Sequence, residues 1–398
     1  MRSRAKKPAK VESLVRQDLS TQQPWEKHES IRMAGTSGRG KITIGLVGHT
    51  WYGEYLLKQN EKMQRECSVP CEFVQYRTRN TRDADPHPPS ALFFGHSEQR
   101  VHKLEVQRIH AHVPQSSPWI IWCSEPRGQW PCFHYPKEGG RMEDTDWLPD
   151  NRQYLTANFD LHSDIPITFG DFPLLHAKMT KFKGWKHPDT AKDASSWVQE
   201  WVGHVKRAAS SRDIFASVFM RECTPRRTPY LQELMNVLQV NYGYKVASFG
   251  NCLHNSGRSM PDLDGRILLQ AQSTFCLVFD KADIEGYLSE QLSMAWVAGC
   301  IPVYWGRGQV EEMAPHPRSF VNANAFQSAA LLAERLHAIN TGDKLYLEHT
   351  EWRSRGLSPN YIQYLSEGWR TGGCRMCQAV ADYQEQRRPG RVKPAPAS

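Results

Sequence analysis

Apolar residues in this chain gather into short runs set apart by longer polar stretches. The runs at 41–47 (KITIGLV), 71–76, 91–94, 118–122 (PWIIW), 215–220, 274–279 and 301–305 are rich in β-branched and aromatic residues, which predicts buried strands. Two other stretches repeat at helical spacing: Leu231, Leu234, Val237 and Leu238, then Leu292, Ala295, Trp296 and Ala298, the second stopped by Gly299. Strands alternating with helix-compatible segments predict an α/β fold rather than a sandwich. The clearest unit runs from Phe275 to Gly306 as strand, loop, helix and strand.

That helix opens with Tyr287, Ser289, Glu290 and Gln291, so a hydroxyl and a carboxylate stand where unpaired backbone N–H groups and the positive end of the dipole can hold an anion. This is phosphate-binding geometry. The first strand offers none, because Gly45, Gly48 and Gly53 do not spell G-x-G-x-x-G. A second informative place follows the PWIIW strand, which runs into Cys123, Ser124, Glu125 and Pro126. Loops at the carboxyl ends of parallel strands are where α/β folds place ligands, which makes Glu125 a candidate for proton transfer.

Composition adds limits. At 398 residues the chain has room for two ordinary domains. The net charge of +8 sits in the ends: residues 1–40 carry +5 and 384–398 carry +3, leaving the body formally neutral. Basic tails of that kind read as solvated ends, and no nucleic-acid partner is expected. No stretch approaches the roughly 20 apolar residues of a membrane span, and the N-terminal region lacks the apolar core of a signal peptide. Asp83 with Asp85, and Asp262 with Asp264, each spell D-x-D, but neither follows a clear apolar strand, and no metal site is expected. Of the ten cysteines, Cys276 and Cys300 lie in apolar segments and read as buried thiols. The other eight lie in turn-like, polar sequence compatible with disulfides; Cys374 and Cys377, as C-x-x-C, also admit a zinc or redox reading, with Cys67 and Cys71 as companions.

The 275–306 stretch resembles the donor motif of the α1,3/4-fucosyltransferases, glycosyltransferase family 10, which reads roughly F-x-L-x-F-E-N-S, then Y-[IV]-T-E-K, then a run ending A-x-P-V-x-x-G. Phe275, Leu277, Phe279, Asp280, Tyr287, Leu288, Ser289, Glu290, Ile301, Pro302, Val303 and Gly306 carry the match. Weaker similarities extend it: Glu125 answers to a glutamate after a W-V-W strand, Asn158 to Asp160 and Ser163 to Pro166 to an N-W-T and S-D-I-x-x-P segment, and Arg227, or adjacent Arg226, to an arginine before a helix.

The resemblance implies two facing Rossmann-like domains, the glycosyltransferase-B arrangement. Residues 1–40 would be a disordered tail or stem, 41–205 the acceptor-binding domain, 206–365 the GDP-fucose domain, and 366–398 a Cys-x-x-Cys segment with a disordered tail. It implies inverting transfer of L-fucose from GDP-fucose to a hydroxyl of a glycan or glycoprotein, as an α1,3-fucosyltransferase acting on GlcNAc. Glu125 would be the base, and Arg227, Tyr287, Ser289, Glu290, Gln291 and Lys281 the donor residues. No cofactor is required, though divalent cations could stimulate. The C-x-x-C would be tied back to the N-terminal half by disulfides, and the location would be the Golgi lumen or membrane, with membrane association only through an N-terminal anchor not in this chain.

Three departures bear on activity: Asp280 for Glu, Lys281 for Asn and Gln291 for Lys. Loss of a cation beside a developing phosphate charge typically costs on the order of two decades of rate or more. The alternative is therefore a weakly active or binding-only relative. Lys281 stands where its charge could replace the missing one, so Lys281→Ala should abolish GDP-fucose turnover; an unaffected rate in a GDP-release assay would show that this charge is not used.

Overall fold

The structure, a computed structural model, describes residues 41–48, 51–76, 88–95, 103–123, 152–159, 163–170, 213–257, 260–281, 286–355 and 357–387. Glu125, Asp83, Asp85, Asp160, the tails at 1–40 and 388–398, and the segment 171–212 lie outside them. Each expected strand is present. β1 (Ile42–Val47), β2 (Cys71–Tyr76), β3 (Ala91–Gly95), β4 (Trp119–Cys123), β5 (Tyr154–Asn158) and β6 (Ile165–Pro166) form one sheet in the order β2-β1-β3-β4-β5-β6. β7 (Ile214–Phe219), β8 (Val246–Phe249), β9 (Ser273–Phe279), β10 (Ile301–Trp305) and β11 (Val321–Asn322) form a second, in the order β11-β10-β9-β7-β8. Every pairing in both is parallel. The expected α/β class with two Rossmann-like sheets is the one observed.

Parallel strands covered on both faces must be apolar at successive positions, and alternate residues serve different cores. In β4, Ile120 and Trp122 face one cluster while Trp119 and Ile121 face the other. In β9, Phe275, Leu277 and Phe279 face one core, and Cys276 and Val278 the opposite one. The main covering helices are α1 (Trp51–Lys58), α2 (Asn60–Glu66) and α3 (Lys103–His112) on the first sheet, and α4 (Arg227–Tyr242), α5 (Leu263–Ala271), α6 (Glu290–Ala298) and α7 (Ala329–Thr341) on the second. Helix α4 ends in a left-handed glycine, Gly243 at φ 72°.

The last described helix, α8 (Trp369–Gln386), crosses back. The preceding helix, Pro359–Ser366, belongs to the core of the second sheet through Tyr361 and Tyr364, whereas Met376, Cys377, Val380 and Ala381 of α8 lie in the core of the first. Gly372 and Gly373 make that contact possible, since a Cβ on them would come 2.2 Å from the Tyr52 hydroxyl and 2.4 Å from Met63 Sδ. At the crossing, Arg375 donates from Nε to the Pro166 carbonyl (2.9 Å) and from Nη2 to the Glu367 and Gly368 carbonyls (2.5 and 2.8 Å), and Thr168 N donates to Glu367 O (2.9 Å).

Disulfides Cys67–Cys374 and Cys71–Cys377 pin the helix, as the resemblance implied. Cys223–Cys252 joins the segments after β7 and β8. The buried-thiol reading of Cys276 and Cys300 is overturned: they are bonded to each other. Their apolar surroundings hid a consequence of register. Cys276 pairs with Pro302 across β9 and β10, which brings Cys300, two residues before Pro302, alongside it.

The two bonds to α8 close loops of more than 300 residues, spanning separations of 307 and 306. Replacing Cys374 and Cys377 together by Ser should lower unfolding stability by roughly 2–5 kcal/mol in denaturant titrations, with α8 released first in hydrogen exchange.

Candidate active site

In open parallel sheets, ligands bind beyond the carboxyl ends of the strands where strand order reverses. In the second sheet that point lies between β7 and β9, which are neighbours although β8 separates them in sequence. Two of the residues singled out from sequence for donor binding, Gln291 and Arg227, meet there. Gln291, in the first turn of α6, donates its side-chain amide to the Phe219 carbonyl at the end of β7 (3.2 Å). Arg227, opening α4, donates from Nη1 to the Phe279 carbonyl at the end of β9 (2.8 Å) and from Nη2 to Glu222 O (2.6 Å).

Arg227 is therefore buried, only 4% exposed, and spans the crevice rather than reaching freely into it. Burial draws its guanidinium below the usual arginine range, and the nearby Asp280 carboxyl offsets part of that effect. Neighbouring Arg226 is exposed and lies over the Trp305 ring at 5.2 Å. Trp305 itself stacks with Phe279 (5.8 Å) and Tyr230 (6.3 Å), giving this side of the crevice an aromatic wall.

Helix α6 begins as expected. Ser289 is its N-cap in extended backbone (φ −78°, ψ 163°), and its hydroxyl makes no capping bond to the first turn. Glu290, half-buried, lies within electrostatic reach of Asp280 and of Arg266 on α5. Tyr287 is buried and turns towards the other sheet, its ring edge-to-face with Phe159 at 5.0 Å, just past the end of β5. Lys281 follows Asp280 beyond β9 and is half-buried. Asp164, part of the S-D-I segment, holds β5 through Thr156, accepting from its N–H and hydroxyl at 2.8 Å each. Asp262 caps α5 by accepting from Gly265 N (2.9 Å), a structural use of that D-x-D.

Sequence reasoning missed two groups here. The first is Arg266, half-buried on α5; burial lowers its proton affinity, Glu290 offsets this, and Arg221 after β7 adds to it. Arg221, Arg226, Lys281 and Arg307 add further positive charge around the strand ends. The second is Tyr304, hidden in the motif beside matched residues. Its hydroxyl donates to Asp280 Oδ2 (2.9 Å), lies 3.3 Å from the Tyr287 carbonyl, and accepts from Gly308 N (2.8 Å). Gly306 leaves room for this, because a Cβ there would fall 2.4 Å from the Tyr304 hydroxyl. Asp280 is 3% exposed, and burial raises its carboxyl to about 7, against the partial offset of Ser289 and Tyr304 beside it. Among the described residues, no group of three or more His, Cys, Asp or Glu is placed to hold a metal ion, and no helix is long and apolar enough to cross a membrane.

Comparison with known proteins agrees with the geometry. Residues 209–393 match the family model described as glycosyltransferase family 10 (fucosyltransferase) C-term. The chain is 27% identical over 285 residues to GDP-fucose protein O-fucosyltransferase 3 of Xenopus tropicalis, covering 68% of this chain and 51% of that protein. It is 29% identical over 350 residues to the Mus musculus protein of the same name, covering 85% and 63%. The chain thus spans about half to two thirds of the length of these curated relatives. A crystal structure of an α1,3-fucosyltransferase superposes with TM-score 0.55 at 14% identity, covering 88% of this chain and 93% of that one, and the same enzyme with GDP-fucose gives 0.52 over 88% and 94%. The shared fold is glycosyltransferase-B.

A carboxyl that titrates near 3.8 in the unfolded chain and about 7 in the folded one holds its proton more tightly when folded. Its contribution favours the folded state at low pH and is lost as pH rises through 7. Asp280→Asn should remove this slope, so urea unfolding should show the variant gaining on the parent between about pH 5 and about pH 8. An equal difference at both pH values would show that Asp280 does not titrate in this range.

Proposed function

We propose, from the match of residues 209–393 to the glycosyltransferase family 10 model, that this chain is a fucosyltransferase of that family and transfers L-fucose from GDP-fucose to an acceptor hydroxyl with inversion. The observation that carries this reading is the crevice at the β7/β9 switch point, where Gln291 of the first turn of α6 and Arg227 bond the ends of β7 and β9, within the stretch matched by the family model. As the bond from the anomeric carbon to the diphosphate breaks, negative charge grows on the leaving GDP. The N–H groups of α6, exposed Arg226 and Lys281 are suited to stabilise it. Arg227 contributes its field from behind, since its fork is committed to the Phe279 and Glu222 carbonyls. Glu290 would accept from ribose hydroxyls, with Tyr287 packing beside the donor loop. Glu125, after β4, would take the acceptor proton.

For the acceptor, the relatives' names favour a protein hydroxyl, and the aliphatic hydroxyls of Ser and Thr are the acceptors to test. The second reading, O3 of GlcNAc, is favoured by the donor motif's resemblance to the α1,3/4-fucosyltransferases. The four disulfides among the described residues favour an oxidising, lumenal compartment. A GDP-release assay with GDP-fucose and both acceptor classes tests all of this. Fucose on Ser or Thr is released by alkaline β-elimination, whereas fucose on GlcNAc stays with the glycan. GDP-fucose binding without GDP release from either class would mark a binding-only relative.

The amide of Gln291 reaches the Phe219 carbonyl, and a lysine ammonium could keep that bond while adding a charge. Gln291→Lys should therefore raise kcat by about tenfold with little change in KM for GDP-fucose. An unchanged or lower kcat would mean that the site does not lack a cation.

A further inference from the structure

Asp280, Tyr304, Tyr287 and Ser289 form a buried polar cluster behind the start of α6. The Tyr304 phenol has a single proton and two acceptors within reach, Asp280 Oδ2 at 2.9 Å and the Tyr287 carbonyl at 3.3 Å. With Asp280 ionised, that proton belongs to the carboxylate. With Asp280 protonated, the carboxyl can donate to the Tyr304 oxygen and the phenol can turn to the Tyr287 carbonyl, while Gly308 N still donates to the phenol at 2.8 Å. Ser289, the N-cap of α6 and 6% exposed, holds the Asp280 carboxyl, 3% exposed, by side-chain and backbone polar contact.

The charged groups facing this carboxyl come from several elements. Glu290 on α6 repels its charge and Arg227 on α4 attracts it; Tyr304 on β10 and Ser289 hold it by polar contact, and Glu311 lies beyond Tyr304. An incoming diphosphate would add negative charge to the same helix end. Two anions there, with Glu290 beside them, repel in a medium of low dielectric, and the one that can discharge is the carboxyl.

We propose that Asp280 and Tyr304 are positioning residues of the donor site, and that binding of a nucleoside-diphosphate sugar draws one proton from solvent onto the Asp280 carboxyl. No bond of the donor is made or broken in this step. The protonated chain from Asp280 through Tyr304 to Tyr287 then fixes residues 286–289, which lead into α6, and the Tyr287 ring against Phe159. The inference rests on the reading of the crevice as a GDP-fucose site.

Calorimetry with GDP-fucose and no acceptor, at about pH 8 in two buffers of different ionisation heat, counts the protons directly. GDP-fucose is the right probe because its diphosphate is esterified at both ends and does not titrate near neutrality. The wild-type chain should take up close to one proton per donor bound, and its affinity should fall about tenfold per pH unit above 7. Asp280→Asn should bind with no uptake and a flat pH profile, and Asp280→Glu should restore the uptake. Tyr304→Phe removes the donor to the ionised carboxyl, so the fall in affinity should move to higher pH. Binding without proton uptake in the wild type, or the same uptake in Asp280→Asn, overturns the proposal alone. Failure to bind GDP-fucose at any pH overturns the underlying reading as well. Should Asp280→Asn not fold, the wild-type proton count and the Tyr304→Phe profile decide the matter.

Discussion

The second sheet depends on one buried guanidinium. Arg227 bridges the carbonyls of Phe279 and Glu222 across the point where β7 and β9 diverge, and Gln291 caps the Phe219 carbonyl beside it. Strand ends expose carbonyl oxygens, which repel anions; helix starts expose N–H groups, which attract them. By occupying the oxygens at the mouth of the crevice, these two side chains leave the α6 N–H groups to set its polarity. The cost is desolvation of a charge that cannot be neutralised, offset by fork hydrogen bonds and by Asp280 nearby. This differs from an arginine that simply reaches for phosphate. Truncating it would uncover carbonyls as well as remove charge.

The crevice is also tied to the other sheet. Tyr287 belongs by sequence to the donor loop, yet its ring lies in the core of the first sheet against Phe159. Arg375 and Thr168 fasten the first sheet to the turn at Glu367 and Gly368. The loop entering α6 is thus supported from both sides, and an event at Asp280 has a short mechanical route to the face where Asn158 and Phe159 stand.

Much of this was legible in the chain because parallel strands must be apolar on both faces, and short runs such as 118–122 and 301–305 have no other economical reading. The α6 N-terminus was legible because a serine followed by a glutamate is a common helix start. What stayed hidden depends on long-range contact. Helix α8 carries paired glycines and scattered apolar residues, so its period is weak until the first sheet supplies the partner surface. Cys276 and Cys300 read as apolar because their neighbours are, and only strand register brings them together. Arg227 was read as standing before a helix, which it opens, but its commitment to carbonyl oxygens follows from burial, which spacing does not report. Tyr304 sat unremarked between matched residues because its importance lies in the carboxyl across the strand. Glu125 lies outside the described residues, and its assignment rests on sequence alone.

Helix α8 has a temporal meaning as well as a spatial one. Its apolar side completes the core laid down by β1, β2 and β3, although nearly three hundred residues separate them in the chain. During synthesis the first sheet emerges early and must wait, with that surface uncovered, until the whole second sheet has been made. Cys67 and Cys71 wait with it, as thiols whose partners do not yet exist. The first sheet therefore cannot complete its core, nor form its two bonds to α8, until α8 has been made.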